Sequence, residues 1–154
     1  MLGNWRNITG RLDTLGGGAG SLPCTRTYRF SGNPLGIRAK IEGEVPAGPH
    51  LYAAKHQSMF DVFSQFAILP DACFVMKKEL LMVPLFGWHG LKAKMIVVDR
   101  DGHSTALKKL VRDSVDRMKE TRQVVIFPEG TRGKVGEPGD YKPGIAALYR
   151  ELEL

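Results

Sequence analysis

Five short segments of the chain carry the residue patterns of β-strands. Residues 37–43 alternate apolar or small side chains with charged ones, a period of two that predicts a half-exposed strand. The other four segments are continuously apolar, which predicts strands that are buried on both faces. They are residues 51–54, 73–76, 95–98 and 124–127.

Helical patterns separate these predicted strands. Ser58 is a candidate N-cap for an apolar helix over residues 59–69, which we expect to be largely buried because apolar residues occur on several of its sides. Further helical patterns occupy residues 79–82, residues 104–120 with Ser104 as cap, and the segment that begins near Pro143. Strands alternating with helices predict an α/β fold, here a single domain with a mostly buried, mixed sheet flanked by helices.

The first part of the chain differs from the rest. Residues 1–36 show no sustained period, and the run from Gly16 to Gly20 contains four glycines, which disfavour a helix. We therefore expect a poorly organised N-terminal arm over residues 1–36, followed by the folded domain over residues 37–154.

The composition predicts a folded domain that prefers anionic partners. Of 154 residues, 43% are apolar and 25% are charged, as in ordinary globular domains. The net charge of +6 favours phosphate esters, an anionic membrane surface or nucleic acid as partner. Nucleic acid is disfavoured because the chain carries no recognisable nucleic-acid-binding signature and no ladder of aromatic and basic residues.

The cysteines and the hydropathy pattern predict the redox environment of the chain and its relation to a membrane. Cys24 and Cys73 have no metal-ligand spacing, so we expect a reduced, intracellular environment and no metal site. The N-terminus lacks the apolar core of a signal peptide, and no segment reaches the roughly 20 apolar residues of a spanning helix. The chain is therefore predicted to lie on a membrane rather than to cross it.

Polar residues follow the predicted buried strands. His56, Lys77, Arg100 and the segment 129–132 each come shortly after a strand ends. In α/β sheets the ligand crevice lies at one end of the strands, so we expect these residues to share one site.

His56 and Asp61 form the first candidate pair for chemistry. In one continuous helix they would point about 140° apart, because each residue turns the helix by roughly 100°. They can meet only if His56 lies in the loop before the helix and Asp61 lies in its first turn. Asp61 would then orient His56 as a general base. Ser58 and Asp61 also fit a capping box, so capping and catalysis both remain open.

The segment Phe127-Pro128-Glu129-Gly130-Thr131-Arg132 is the second candidate. Gly130 allows close approach of the backbone to a ligand, and Thr131 supplies a hydroxyl. Arg132 can bind a phosphate group through two parallel hydrogen bonds. Glu129 can orient the arginine or accept a hydrogen bond from a hydroxyl group.

These motifs together resemble those of the lysophosphatidic acid acyltransferase family, the 1-acylglycerol-3-phosphate acyltransferases. The resemblance rests on His56-x-x-x-x-Asp61, on Val98-Asp99-Arg100 and on the segment 127–132, in this order and spacing. It implies a glycerolipid acyltransferase-like fold and transfer of an acyl group to the free hydroxyl of 1-acylglycerol 3-phosphate. The product would be phosphatidic acid, a precursor in phospholipid biosynthesis.

The resemblance also implies roles for individual residues. His56 would be the general base and Asp61 its orienting residue. Arg100, Glu129, Gly130, Thr131 and Arg132 would bind the acceptor, and Lys77 is a further candidate for an anionic group. The acyl donor would be acyl-CoA or acyl carrier protein, with no cofactor. The enzyme would act at the membrane surface, on the cytoplasmic side of the inner or plasma membrane.

Other readings stay open at this point. Glycerol 3-phosphate or another lysolipid is an alternative acceptor, and Ser58 activated by His56 would give an esterase, although no Gly-x-Ser-x-Gly elbow is present. Family members commonly begin with apolar membrane-binding helices and continue into a further strand. We therefore expect the C-terminal part of the domain to be missing, which leaves an inactive lipid-binding fragment as another possibility.

Overall fold

The computed structural model describes residues 25–29, 38–43, 45–46 and 48–152. The chain divides into two compact units, residues 1–46 and 47–154.

The first unit contains an antiparallel pair of strands. β1 (Thr25–Arg29) pairs with β2 (Arg38–Glu42), with Thr25 opposite Glu42 and Arg29 opposite Arg38. β2 confirms the strand predicted at residues 37–43. β1 lies within the segment expected to be a poorly organised arm, and the rest of that segment lies outside the described residues.

The second unit is built on a four-stranded sheet. Its strands are β3 (Leu51–Ala53), β4 (Ala72–Lys77), β5 (Ile96–Val98) and β6 (Gln123–Ile126). They lie in the order β3-β6-β4-β5, and all three pairings are parallel. The α/β class and the four strand positions are confirmed, but this sheet is parallel rather than mixed. Parallel pairing places the carboxyl ends of all four strands along one edge.

Four α-helices belong to this unit. They are α1 (Met59–Ile68), α2 (Phe86–Lys92), α3 (His103–Lys119) and α4 (Gly144–Glu151), with short 3₁₀ helices at Lys78–Met82 and Arg100–Gly102. Gly102 rather than Ser104 caps α3. The sequence did not predict α2, because its two glycines are poor helix formers. Gly87 is needed there, since an added Cβ would overlap the Leu81 carbonyl.

The hydrophobic core lies between the four-stranded sheet and the helices α3 and α4. Its buried members come from β4, β5, β6, α3 and α4, and they are Cys73, Ile96, Leu110, Val124, Ile126 and Leu148. Together these side chains hold the sheet edge in place, because close packing leaves little room for the strands to shift. Among the described residues, no helix is long and apolar enough to cross a bilayer.

Two apolar segments are more exposed than the sequence predicted. α1 was expected to be largely buried, but none of its residues is, and Phe63 is 56% exposed. For residues 80–88 the sequence predicts packing in the core, with contact with lipid as the alternative; here Met82 is 85% and Trp88 55% exposed.

Candidate active site

His56 and Asp61 meet across the bend that precedes α1. β3 ends at Ala53, and the chain reaches His56 before Ser58 begins the helix with extended backbone angles (φ −148°, ψ 169°). Asp61 lies in the first turn, and its Oδ2 is 3.4 Å from Nδ1 of His56. The predicted meeting of the two side chains is confirmed.

The same carboxylate also caps the helix. Oδ2 of Asp61 accepts hydrogen bonds from the backbone N–H groups of Gln57 at 2.6 Å and Ser58 at 2.7 Å. The Ser58 hydroxyl donates to Oδ1 at 3.1 Å and accepts from the Phe60 N–H at 3.1 Å. The capping box is therefore complete, and the two readings of this pair are not alternatives.

These contacts keep Asp61 ionised. Partial burial is the largest single influence and raises the pKa of Asp61, but the hydrogen bonds to its oxygens together outweigh it, so this pKa is lowered. An ionised carboxylate can only accept a hydrogen bond, which assigns the proton between the two groups to Nδ1 of His56. Nε2 of His56 is then the nitrogen that can accept a proton.

Aromatic packing holds the His56 ring. Phe127 stacks on it with ring centroids 4.2 Å apart and an angle of 24° between the planes. Phe127 in turn lies 6.1 Å from the ring of Phe74 in β4. The His56 side chain is 17% exposed, so it is accessible but has little freedom to turn.

The loop after β6 binds to the His56 loop through two hydrogen bonds. The backbone N–H of His56 donates to Oε2 of Glu129 at 2.9 Å, and the N–H of Gly133 donates to the His56 carbonyl at 2.7 Å. β3 and β6 are neighbours in the sheet, which brings the two loops together. The Glu129 residue is only 5% exposed, and its Oε1 lies 3.9 Å from Nζ of Lys55.

Arg100 joins the same edge from β5. Its Nη2 donates to the Gly130 carbonyl, and Gly130 adopts a left-handed backbone with φ +67°. A Cβ at this position would lie 2.9 Å from Nη2 of Arg100, so a larger residue would displace the arginine. Glycine at position 130 thus allows the close approach of the Arg100 side chain, and the predicted approach to a ligand stays a prediction.

A cleft of about 170 Å³ opens beside this loop. Three cationic residues line it, of which the sequence analysis predicted only Arg100; the others are Lys134 and Lys142. Lys142 is held by its backbone N–H, which donates to the Pro128 carbonyl at 2.8 Å. Lys134 pairs with Glu137 and Lys142 pairs with Asp140 in the same loop. In the sequence each lysine therefore lies close to an acidic residue, a pattern that does not indicate an anion-binding site.

The other predicted site residues that the structure describes, Thr131, Arg132 and Lys77, form no hydrogen bond or ion pair with the His56–Asp61 pair. Thr131 lines the cleft, while Arg132 is exposed and its side chain forms no hydrogen bond or ion pair with the residues that the structure describes. Lys77 ends β4, half-buried, and does not line the cleft. Its neighbour Lys78 pairs with Asp99 at 2.8 Å. In the described part of the chain, no group of three or more His, Cys, Asp or Glu residues is arranged to hold a metal ion.

A family model described as acyltransferase matches residues 37–154, which include every residue of this site. This chain belongs to the acyltransferase family. The match covers β2 and the whole described part of the second unit, so the family membership and the α/β fold support each other.

Several curated relatives carry the same name. A 1-acyl-sn-glycerol-3-phosphate acyltransferase of Pseudomonas aeruginosa is 38% identical over 73% of this chain and 45% of its own length. Proteins of that name from Helicobacter pylori and Saccharomyces cerevisiae are both 34% identical, over 77% and 67% of this chain and 51% and 35% of their own lengths. The chain therefore spans about half the length or less of these acyltransferases. No solved structure matches it significantly.

Proposed function

We propose that this domain transfers an acyl group from acyl-CoA or acyl carrier protein to the free hydroxyl of 1-acylglycerol 3-phosphate, giving phosphatidic acid. The observation that carries the proposal is the His56–Asp61 pair, with Nδ1 bonded to the carboxylate at 3.4 Å. The names of the relatives support the acceptor, since they are called 1-acyl-sn-glycerol-3-phosphate acyltransferases.

The proposed reaction is a direct transfer. Nε2 of His56 takes the proton of the acceptor hydroxyl as its oxygen attacks the carbonyl carbon of the thioester. The resulting tetrahedral intermediate then collapses, the C–S bond breaks, and His56 returns the proton to the leaving thiolate. Asp61 stabilises the imidazolium formed between these steps, as the aspartate of a catalytic triad does. The substrate hydroxyl takes the place of the triad serine.

The esterase reading with Ser58 as nucleophile is not favoured by the geometry. The Ser58 hydroxyl donates to Asp61 at 3.1 Å and accepts from the Phe60 amide, so it is engaged in the helix cap. A nucleophilic serine would instead donate to the base. Among the hydrogen bonds of the described residues, none joins the Ser58 hydroxyl to His56.

An assay of acyl transfer tests this proposal. Purified chain is mixed with acyl-CoA or with acyl carrier protein that carries an acyl thioester. Each donor is combined separately with 1-acylglycerol 3-phosphate, glycerol 3-phosphate, another lysophospholipid and a phosphate-free monoacylglycerol. We expect phosphatidic acid as the main product, on this chain or on a version extended past Leu154. Binding of lysolipid without any product from either version would identify a lipid-binding fragment and refute the enzyme.

Arg132 is expected to bind the acceptor phosphate. Arg132 is exposed and directly follows Thr131, which lines the cleft, and charge-assisted hydrogen bonds are worth about 1.5–3 kcal/mol each. Arg132→Ala should therefore raise KM for 1-acylglycerol 3-phosphate by about 10- to 100-fold and leave KM for the acyl donor nearly unchanged. Steady-state kinetics with each substrate varied in turn measures both values.

Two controls belong to the Arg132 experiment. Arg112→Ala removes an exposed arginine of α3 and should change neither KM. A phosphate-free monoacylglycerol should be used equally well by the wild type and by Arg132→Ala. An equal loss with that acceptor would contradict the phosphate role.

The apolar patch formed by Met82, Leu85, Phe86, Trp88 and Leu91 is proposed to contact the membrane that supplies the acceptor. Trp88 and Leu91 are 55% and 60% exposed, and Nζ of Lys92 lies 4.1 Å above the Trp88 ring. An exposed apolar surface with neighbouring cations, in a chain of net charge +6, suits an anionic bilayer. The domain would thus act as a peripheral membrane protein.

Vesicle binding tests the membrane contact. The double variant Trp88→Gln, Leu91→Gln is expected to bind phosphatidylglycerol-containing vesicles about tenfold more weakly in co-sedimentation, because two apolar side chains leave the bilayer. Tyr149→Gln, at an exposed aromatic of α4, is the matched control and should bind normally. Unchanged binding by the double variant would remove the patch from the interface, and self-association detected without vesicles would assign it to a second copy.

A further inference from the structure

Glu129 occupies an unusual place for a residue of an anion-binding loop. It lines the cleft but is only 5% exposed, whereas Thr131 and Arg132 beside it are exposed. Its Oε2 accepts the backbone N–H of His56 at 2.9 Å, and its Oε1 faces Nζ of Lys55 at 3.9 Å. Both oxygens are therefore turned toward the loop that carries the histidine.

Gly139 leaves room for this carboxylate. A Cβ at Gly139 would lie 2.6 Å from Oε1 and 2.8 Å from Cγ of Glu129, closer than a Cβ can approach either atom. A Cβ at Gly133 would lie 3.9 Å from Oε2, an ordinary contact, and the Gly133 N–H donates to the His56 carbonyl. The chain around Glu129 is thus shaped to hold the carboxylate against His56.

The charge of Glu129 argues against a direct contact with the acceptor phosphate. A carboxylate and a phosphate repel each other, and the Glu129 carboxylate already accepts the His56 amide and pairs with Lys55, so it gains little by turning outward. Turning outward would also lose the stability that the hydrogen bond from the His56 amide provides. The geometry therefore fits a supporting role better than a binding one.

We propose that Glu129 is a positioning residue. It holds the backbone of His56 against the loop after β6, which carries the predicted acceptor-binding residues, and Gly139 provides the space for its carboxylate. The inference rests on the proposed function, because it assigns Glu129 a role in placing the base of that reaction. Two hydrogen bonds, from His56 N–H to Glu129 and from Gly133 N–H to the His56 carbonyl, tie the base to the loop that carries Arg132. Base and acceptor site then move as one piece.

The hydrogen bonds between the His56 loop and the loop after β6 matter because proton transfer requires a precise position of the base. A base must lie within hydrogen-bond reach of the hydroxyl, and a misplacement of about 1 Å can lower the rate by about 100-fold. Asp61 controls the rotation of the imidazole ring, but it does not fix the distance between the His56 loop and the loop after β6. Glu129 supplies that second constraint.

Kinetics of three variants test the proposal. Glu129→Ala removes the acceptor of the His56 amide and should lower kcat by about 100-fold, with KM for 1-acylglycerol 3-phosphate changed by less than about threefold. Glu129→Gln keeps an oxygen that can accept this hydrogen bond, so it should recover most of kcat. Gly139→Ala leaves Glu129 in place but crowds it, and should lower kcat in the same way as Glu129→Ala.

A spectroscopic measurement makes the test independent of activity. In ¹H–¹⁵N spectra of the whole chain, the His56 amide proton should lie downfield and exchange slowly in the wild type and in Glu129→Gln. It should shift upfield and exchange faster in Glu129→Ala and Gly139→Ala. Glu120→Gln, at an exposed glutamate that follows α3, is the control and should leave this amide unchanged.

The outcomes separate the two proposals. A raised KM for the acceptor with kcat retained, together with an unmoved His56 amide, would show that Glu129 binds substrate and would overturn the positioning role. Failure of both the wild type and the version extended past Leu154 to transfer acyl groups would refute the proposed function alone, because the amide measurement would still decide whether Glu129 holds His56. Should Glu129→Ala fail to fold, Gly139→Ala carries the same test.

Discussion

Replacing His56 with alanine is expected to lower acyl transfer by about 1,000-fold or more, because a positioned general base contributes about 10² to 10⁴ in rate. The variant lacks a group that can take the proton of the acceptor hydroxyl, and water replaces it poorly. The backbone amide of His56 remains and still donates to Glu129, so the connection between the two loops should persist. Formation of phosphatidic acid under single-turnover conditions measures the loss.

An acceptor-binding measurement and a control variant show whether the loss of activity comes from the missing base. His56→Ala should bind 1-acylglycerol 3-phosphate within about threefold of the wild type, since in the proposed function the loop after β6, and not His56, binds the acceptor phosphate. His50→Ala is the matched control: His50 precedes β3, its Nδ1 lies 3.3 Å from the Gly48 carbonyl, and its loss should leave transfer unchanged. Full activity of His56→Ala would remove the histidine from the reaction.

The convergence of this site could be predicted from the sequence for a simple reason. In α/β sheets the ligand crevice lies at one end of the strands, so polar residues that follow the strands were expected to gather there. Arg100 contacts Gly130 at this edge, although 30 positions separate the two residues. The sequence did not predict that the whole sheet is parallel, nor that Lys77 would lie away from the cleft.

The Glu129–His56 contact could not be predicted in the same way. One partner is a backbone amide, which every residue except proline carries, so the contact leaves no trace in residue type. The burial of Glu129 depends on Gly139, whose role appears only when the loop is folded back beside it. The sequence indicated that Glu129 belonged to the site, but not which way its carboxylate faced.

The exposure of α1 and of the apolar patch shows a second limit of sequence patterns. An apolar segment indicates that its side chains favour a non-aqueous environment. It does not indicate whether the rest of the domain or another molecule provides that environment. In this unit the sheet packs its buried face on α3 and α4, while Phe63 in α1 and Trp88 in α2 are more than half exposed. Burial within the domain was the wrong prediction for both segments.

Asp61→Asn is the second substitution with a large expected effect, and its physical reason is the proton on His56. The carboxylate accepts from Nδ1 and so leaves Nε2 free to act as base, whereas an asparagine amide can donate to Nδ1 and favour the opposite tautomer. An inactive tautomer of this kind lowers kcat by about 10⁴ in a serine protease, and we expect a loss of about 10² to 10⁴ here. Single-turnover transfer measures it.

Ser58→Ala separates the catalytic role of Asp61 from its role in the cap. Removing the Ser58 hydroxyl deletes its bonds to the Phe60 amide and to Asp61, which should cost about 1 kcal/mol in the free energy of unfolding. The imidazole and the carboxylate stay in place, so kcat should change by less than about threefold. A loss of activity as complete as that of Asp61→Asn, with an acyl group found on Ser58 in the wild type, would support the esterase reading instead.

The pH dependence of unfolding provides a further check on Asp61. Its pKa is lower in the folded chain than in the unfolded one, so its ionised form contributes stability above the unfolded value of about 3.9. That contribution is lost as pH falls through the lower, folded value. The wild type should therefore exceed Asp61→Asn in the free energy of unfolding at pH 7, and the difference should shrink in urea titrations below about pH 4. A difference that stays constant across this range would mean that the charge of Asp61 adds nothing to the cap, and the assignment of the Nδ1 proton, which depends on that charge, would lose its support.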